Sequence, residues 1–375
     1  MSDSRSVSLV RGQNQQVDSS FIYCYNFMVN RIRRKPRRLI GEIGGYMATI
    51  KEIAQKVGVT SAVVSRVLNY DKTISVSEET RNAIFQVAKE LNYQKKKIYP
   101  PINNVVILNW ADEEEELENE FYRELSKEME RQALERNMQI VQIKKTQGIE
   151  AVPEQTQVFI GIGRFLMKEV QALKKITLQG IFIDSSPDEN TYDSVRPNLD
   201  LVVSQIVTYF VQKGHRAIGF IGVHDMDINT QEPLMDIREW TFRNTMAYHH
   251  ILDEKNIFIV DHLTVKEGYR IGQICAERED KELPTAFCIG SDTLAVGFLQ
   301  AMNENGIVMP ERVAVFSIND TSIAEYISPP LSTYHIDIPI MCETALDLLH
   351  ERMIKNRDIT KTVYINGKPI MRKSC

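Results

Sequence analysis

Gly161-Ile162-Gly163 is the nearest approach to a dinucleotide-binding turn, and it lacks the third glycine of that fingerprint. GxxxxGK[ST], HExxH and GxSxG are all missing from the 375 residues. His249 and His250 are helix neighbours, so they cannot both face one metal. Cys24, Cys275, Cys288, Cys342 and Cys375 stand apart, with no CxxC and no Cys/His grouping. That is neither a disulfide framework nor a zinc module, and it fits a reducing cytosol. Neither catalysis, a bound metal nor a cofactor is expected. What the residue types do offer is charge. Residues 1–46 carry eight basic against three acidic side chains, residues 47–97 nine against five, and the remainder 28 against 42. A basic head on an acidic body predicts that the head meets a polyanion.

The head must position those charges. In TIKEIAQKVGVTSAVVSRVLNY the apolar residues Ile50, Ile53, Ala54 and Val57, then Val59, Val63, Val64, Val67 and Leu68, have helical spacing in each half. Gly58 tolerates the positive φ of the tight turn between them. Thr49 with Glu52 reads as a capping box, and Thr60 and Ser61 offer hydroxyls to the second helix. A third helix is predicted from about Ser77, with Ala83, Ile84, Val87, Ala88 and Leu91 inward.

The body alternates near-continuous Val/Ile strands with amphipathic helices, from VVILNW through VFIGIG, GIFID, AIGFIG and AFCIG to RVAVFSI and KTVYI. Such strands form parallel sheets covered on both faces. With 43% apolar and 25% charged residues the chain is ordinary globular protein, and no apolar run approaches the roughly 20 residues of a membrane span. So long an α/β stretch predicts two lobes with a cleft between them, ligands binding at the carboxyl ends of the strands.

From Thr49 to Asn69, and again at Glu90-Leu91-Asn92-Tyr93, the head resembles the LacI/GalR family of bacterial repressors. The likeness continues through VTYFVQKGHRAIGFIG, GSDTLAVGFLQAMNENGIVMPERVAVFSIND and SPPLSTYHIDIP. It implies an all-α helix-turn-helix head joined to a two-lobed, periplasmic-binding-protein-like α/β domain. The acidic EEEELENEFYRELSKEMER most resembles the subgroup regulating galactose and β-galactoside genes. The resemblance implies base contacts from Ser61, Ala62 and Arg66, the last forking onto a guanine edge. Phosphate contacts fall to Thr49, Ser65 and Asn69. In the cleft, Asp236-Ile237-Arg238-Glu239-Trp240-Thr241-Phe242 stands for D-x-R-x-x-G-F, so Arg238 matches an arginine that forks onto sugar hydroxyls. Asp184, Ser291 and Asn319 match further polar contacts, and Trp110 is placed to stack on a pyranose. Each has a structural alternative: Arg238 as a helix-start ion pair, Asp184 and Asn319 as turn caps, Trp110 as core. Asp292 reads as the N-cap of the following helix.

The expected organisation is as follows. Residues 1–46 read as a translated leader or a disordered basic extension. Their apolar FIYCYNFMV precedes their basic RIRRKPRRL, the reverse of a signal peptide, and Ile43-Gly44-Gly45 can be encoded by a ribosome-binding AGGAGG shortly before Met47. Residues 47–97 are the DNA-binding domain, 98–104 a short linker and 105–375 the effector-binding domain. Lobe 1 is expected at about 105–196 and 336–356, lobe 2 at about 197–335 and 357–375. Pro100-Pro101 forbid a helix in the linker, so Lys95, Lys96 and Lys97 are expected to track phosphates as an extended arm beside Ile98 and Tyr99, with little operator bending. The function this implies is a cytoplasmic, homodimeric repressor of sugar-utilisation genes, binding double-stranded operator DNA and a small sugar, galactose or a galactoside. The alternatives are a sugar receptor without DNA function, or, least favoured, an α/β enzyme.

Overall fold

A computed structural model describes residues 49–68, 71, 73–91, 93, 102–111 and 120–375. The leader, Asn69, the lysines at 95–97 and residues 98–101 lie outside them.

The chain divides into two compact units, residues 1–97 and 98–375. In the first, the Thr49 hydroxyl accepts the Glu52 N–H at 3.3 Å while the Glu52 carboxylate takes the Thr49 N–H at 2.7 Å, closing the capping box of α1 (Ile50–Val57). Gly58 ends that helix at φ 78°, its N–H on the Ala54 carbonyl at 2.9 Å. Thr60 opens α2 (Ser61–Leu68) by accepting the Val63 N–H at 3.4 Å. Ser77 caps α3 (Glu78–Glu90). Ile53, Ala54, Val64, Val67, Ile84 and Ala88 are buried together between the three helices.

The second unit holds two lobes. The first is built from β1 (Ile102–Trp110), α4 (Glu120–Glu135), β2 (Met138–Lys144), β3 (Val158–Gly163), α5 (Met167–Ile176), β4 (Gly180–Ile183) and β5 (Asp193–Pro197). The chain then crosses to α6 (Leu199–Gln212), β6 (Ile218–Val223), the hairpin β7 (Asp225–Met226) and β8 (Pro233–Leu234), and α7 (Ile237–Tyr248). The second lobe continues with β9 (Ile257–Val260), α8 (Val265–Ala276), β10 (Ala286–Ile289), α9 (Asp292–Glu304), β11 (Ala314–Asn319), α10 (Ile323–Tyr326) and β12 (Ser332–His335). A second crossing leads to α11 (Ile338–Lys355) and β13 (Thr362–Ile365), and a third to β14 (Lys368–Ile370).

Among the described residues the first sheet runs β13-β5-β4-β3-β1-β2, all parallel. The second runs β14-β12-β11-β10-β6-β9, parallel except for its β14 edge. Both are wound so that the crevice lies at the carboxyl ends of the strands. β3 and β6 are buried at every position, as strands covered by helices on both faces must be.

Two boundaries are corrected. Strand β1 already begins at Ile102, inside the expected 98–104 linker. Residues 357–375 do not all join the second lobe: β13 pairs with β5 in the first sheet, Thr362 opposite Ser194, and only β14 belongs to the second. The cause is Asp193, fully buried in β5, which accepts hydrogen bonds from the Arg357 guanidinium and the Lys361 N–H and so draws this segment back. Helices α5 and α10 and strands β5, β7, β8, β12 and β14 are not among the elements that the apolar patterning predicts.

Candidate nucleic-acid interface and ligand cleft

Ser61 and Ala62 are exposed on the first turn of α2, and Arg66 is exposed one turn later, so the three share an accessible face. Arg66 is held there: its Nε donates to Asp71 Oδ2 at 2.7 Å and its Nη2 to Thr73 Oγ1 at 2.9 Å. Thr73 in turn donates from its N–H and its hydroxyl to Asp71 Oδ1 at 2.8 and 2.7 Å. The Thr73 hydrogen bonds, with Arg66 beside them, hold the Asp71 carboxyl down at about 2. Nη1 keeps its donors for another acceptor. Ser65 is half-buried on the same helix, and Thr49 spends its hydroxyl and N–H within the capping box. The Asp71–Thr73 brace was not foreseen; the short Arg66 to Asp71 spacing was the available signal.

In the second unit a cavity of about 470 Å³ is walled by both lobes. Residues just past β3, β4, β6 and β9, with Asn319 at the end of β11, reach it, as the winding of the sheets requires. Asp184, at φ 69°, contributes from the first lobe, and Asn319, at φ 118°, from the second. Tyr122 donates its hydroxyl to Asp184 Oδ2 at 2.7 Å. Burial pushes the Asp184 carboxyl up, against that hydrogen bond and the charges of Arg164, Arg196 and Arg238.

Arg238 also lines the cavity, but as half of a buried pair. Asp236, the N-cap of α7, accepts its backbone N–H at 2.8 Å, its Nε at 2.7 Å and its Nη2 at 2.9 Å. Its Nη1 donates to the Gly290 carbonyl at 3.0 Å. Burial alone would raise the Asp236 carboxyl; Arg238 outweighs it and holds the group below its ordinary value. A guanidinium has five N–H groups, so one on each Nη remains for a ligand. Arg238 is thus both the helix-start ion pair and a cavity residue.

Two expected residues stand elsewhere. Ser291 is fully buried and is itself the N-cap of α9, accepting the Leu294 N–H at 3.2 Å; it is not in the cavity wall. Asp292, read as that cap, lies one residue inside the helix and accepts from Ser317, Thr333 and Thr321 at 2.5–2.9 Å. Trp110 is 1% exposed and stacks on Phe165 with ring centres 5.3 Å apart. Phe165, beneath it, lines the cavity together with Phe121 and Tyr122, while Trp110 borders a separate recess of about 200 Å³. Tyr122, Lys145, Arg164, Phe165 and Arg196 were all missed. Arg164 and Phe165 follow β3 directly, a signal as good as the one that pointed to Asp184.

The lobes also touch around the cavity. Met167 N–H, at the start of α5, donates to the Ile228 carbonyl in the β7–β8 hairpin at 2.8 Å, and Arg164 lies 3.9 Å from Asp225. Ser322 donates to Glu120 Oε1 at 2.7 Å. Among the described residues no cluster of His, Cys, Asp and Glu could hold a metal, and no helix is long and apolar enough to cross a membrane.

Comparison with known proteins agrees with this division. Residues 49–96 match the bacterial regulatory proteins of the lacI family, and residues 207–375 match a periplasmic binding protein-like domain. The HTH-type transcriptional regulator GanR of Bacillus subtilis (strain 168) is 44% identical over 328 residues, covering 88% of this chain and 99% of that protein. The HTH-type transcriptional regulator LacR of Lactobacillus helveticus is 34% identical over 342 residues, covering 88% and 98%. Among solved structures, a transcriptional regulator CelR–cellobiose complex superposes with a TM-score of 0.59 at 19% identity, covering 88% of this chain and all of that one.

Proposed function

The chain belongs to the lacI family of bacterial regulatory proteins, DNA-binding transcriptional regulators and not enzymes, and from that premise we propose a cytoplasmic homodimeric repressor of sugar-utilisation genes whose effector is galactose or a galactoside. On this reading Ser61, Ala62 and Arg66 read base edges in the major groove. Ser65 and Asn69, with Lys95, Lys96 and Lys97, hold phosphates and set register, and Thr49 joins them only by releasing its hydroxyl from Glu52.

The observation that carries the effector half is the polar pairing across one cavity. Asp184 offers acceptors from the first lobe, Asn319 offers an amide from the second, and Arg238 keeps two spare donors. A polyhydroxylated ring, whose hydroxyls each donate and accept, satisfies such a set, and Phe165 supplies an apolar face nearby. The bound sugar of the CelR complex is consistent with this chemistry.

The test has two parts. A retardation gel with the DNA upstream of the gene should show a specific shift that weakens steeply with salt. Calorimetry should then give a saturable heat with galactose or a β-galactoside. No shift on that DNA would refute the operator half, and no heat with any neutral or charged sugar would refute the effector half.

A further inference from the structure

Among the described residues the cavity wall carries four cationic side chains, Lys145, Arg164, Arg196 and Arg238, and three carboxylates, Asp184, Asp225 and Asp236. Their pairings are unequal. Arg238 is locked in its fork with Asp236, and Arg164 lies 3.9 Å from Asp225. Asp184 takes the Tyr122 hydroxyl and is only touched at a distance by the charge of Arg196. Arg196, half-buried near the end of β5, has no hydrogen-bonding or ion-pair partner among the described residues. A guanidinium presents its N–H donors in a planar fork that matches carboxylate and phosphate oxygens two at a time. Left without such a partner in a concave wall, it fits an anion, which can fill both arms of the fork, better than a neutral hydroxyl.

We propose that Arg196 forms an anion subsite of the effector cavity, so that the preferred effector is a sugar bearing a negatively charged group, a phosphate ester or a carboxylate. The inference rests on the sugar-effector reading and narrows it.

Calorimetry on the full chain should compare galactose with galactose 1-phosphate, galactose 6-phosphate and galacturonate, with inorganic phosphate alone as a further arm. At least one anionic sugar should bind about 10- to 100-fold more tightly than galactose, the range for a hydrogen bond to a charged group. That advantage should shrink as salt is raised. Arg196→Gln should collapse the preference for the anionic sugar, and Arg196→Lys should restore part of it. The phosphate and galacturonate arms tell an ester from a carboxylate. If galactose binds as tightly as every anionic form, or if Arg196→Gln keeps the preference, the subsite is refuted while the sugar reading stands. If no sugar binds but inorganic phosphate does, and Arg196→Gln abolishes it, the sugar reading falls and the anion site remains. If nothing binds, both fall.

Discussion

Arg66 reaches the exposed face of α2 already oriented, because Asp71 takes its Nε and Thr73 its Nη2. On the proposed reading, less rotamer freedom is then lost when its remaining donors meet a base edge. Arg66→Ala should weaken operator binding by about 1–3 kcal/mol and relax base preference at one position, measured by competition among operator variants. An unchanged preferred sequence would displace α2 from the groove. Arg238 has a different liability. Truncating it to Ala leaves Asp236 buried and unpaired, so a loss of about 3–5 kcal/mol in denaturant unfolding is expected, alongside loss of the sugar response. The double change Asp236→Asn with Arg238→Gln should recover most of the stability but not the response, separating the two roles. At this scale the sequence located Arg238, Asp184 and Asn319 at the cavity, since each ends a strand or opens a helix. It misplaced Ser291 and Trp110 for definable reasons. A cap is decided by one residue of register, and Ser291 and Asp292 are both good cappers. Along β1, Trp110 shares a face with Val106 and Leu108, and alternation does not reveal which face meets the ligand.

Gly58 shows how one residue shapes an element. A Cβ there would meet nothing within 4 Å, so its cost is backbone strain alone, at φ 78°. Gly58→Ala should therefore cost about 1–2 kcal/mol, read as faster amide hydrogen exchange in α1 and α2. Protection equal to that of the parent chain would mean the turn relaxes out of the left-handed region. Such punctuation is why the head was legible: caps, a glycine stop and regular apolar spacing agree on the same three helices. Strand β5 escaped because Asp193-Ser194-Val195-Arg196-Pro197 has one aliphatic residue and a proline, tolerated at the strand's last position, past the end of the β4 register at Val195. Helix α5 does carry a period, Met167, Val170, Leu173 and Ile176, packed on the first-lobe core, but over only ten residues. The assignment of β13 depended on the buried Asp193–Arg357 pair, a contact between residues far apart in sequence that no local pattern encodes.

Three chain crossings tie the lobes together, and the β7–β8 hairpin adds a latch that rests on the start of α5 through the Ile228 carbonyl. Met226, Ile228 and Gln231 of that hairpin also wall the cavity, so it belongs to the second lobe while enclosing a ligand against the first. The Arg164–Asp225 approach is exposed on both sides and is worth at most about 1 kcal/mol, so the hairpin's main effect is enclosure. An effector acts on the operator only through its unequal affinity for two arrangements of the molecule, and that coupling is reciprocal. Whatever factor the sugar applies to operator affinity, the operator must apply to sugar affinity. Replacing 227–232 with a two-residue Asn-Gly turn should remove part of the wall while leaving both sheets and the head intact. Sugar affinity should fall about 10-fold or more as apolar and polar contacts are lost. The ratio of sugar affinities with and without operator should stay as in the parent chain if the hairpin only encloses the ligand. Calorimetry in the presence and absence of operator measures both quantities. A ratio that drops to one along with the affinity would instead make the hairpin the element that distinguishes the two arrangements, and its contact with α5 the place where binding is converted into a change at the DNA.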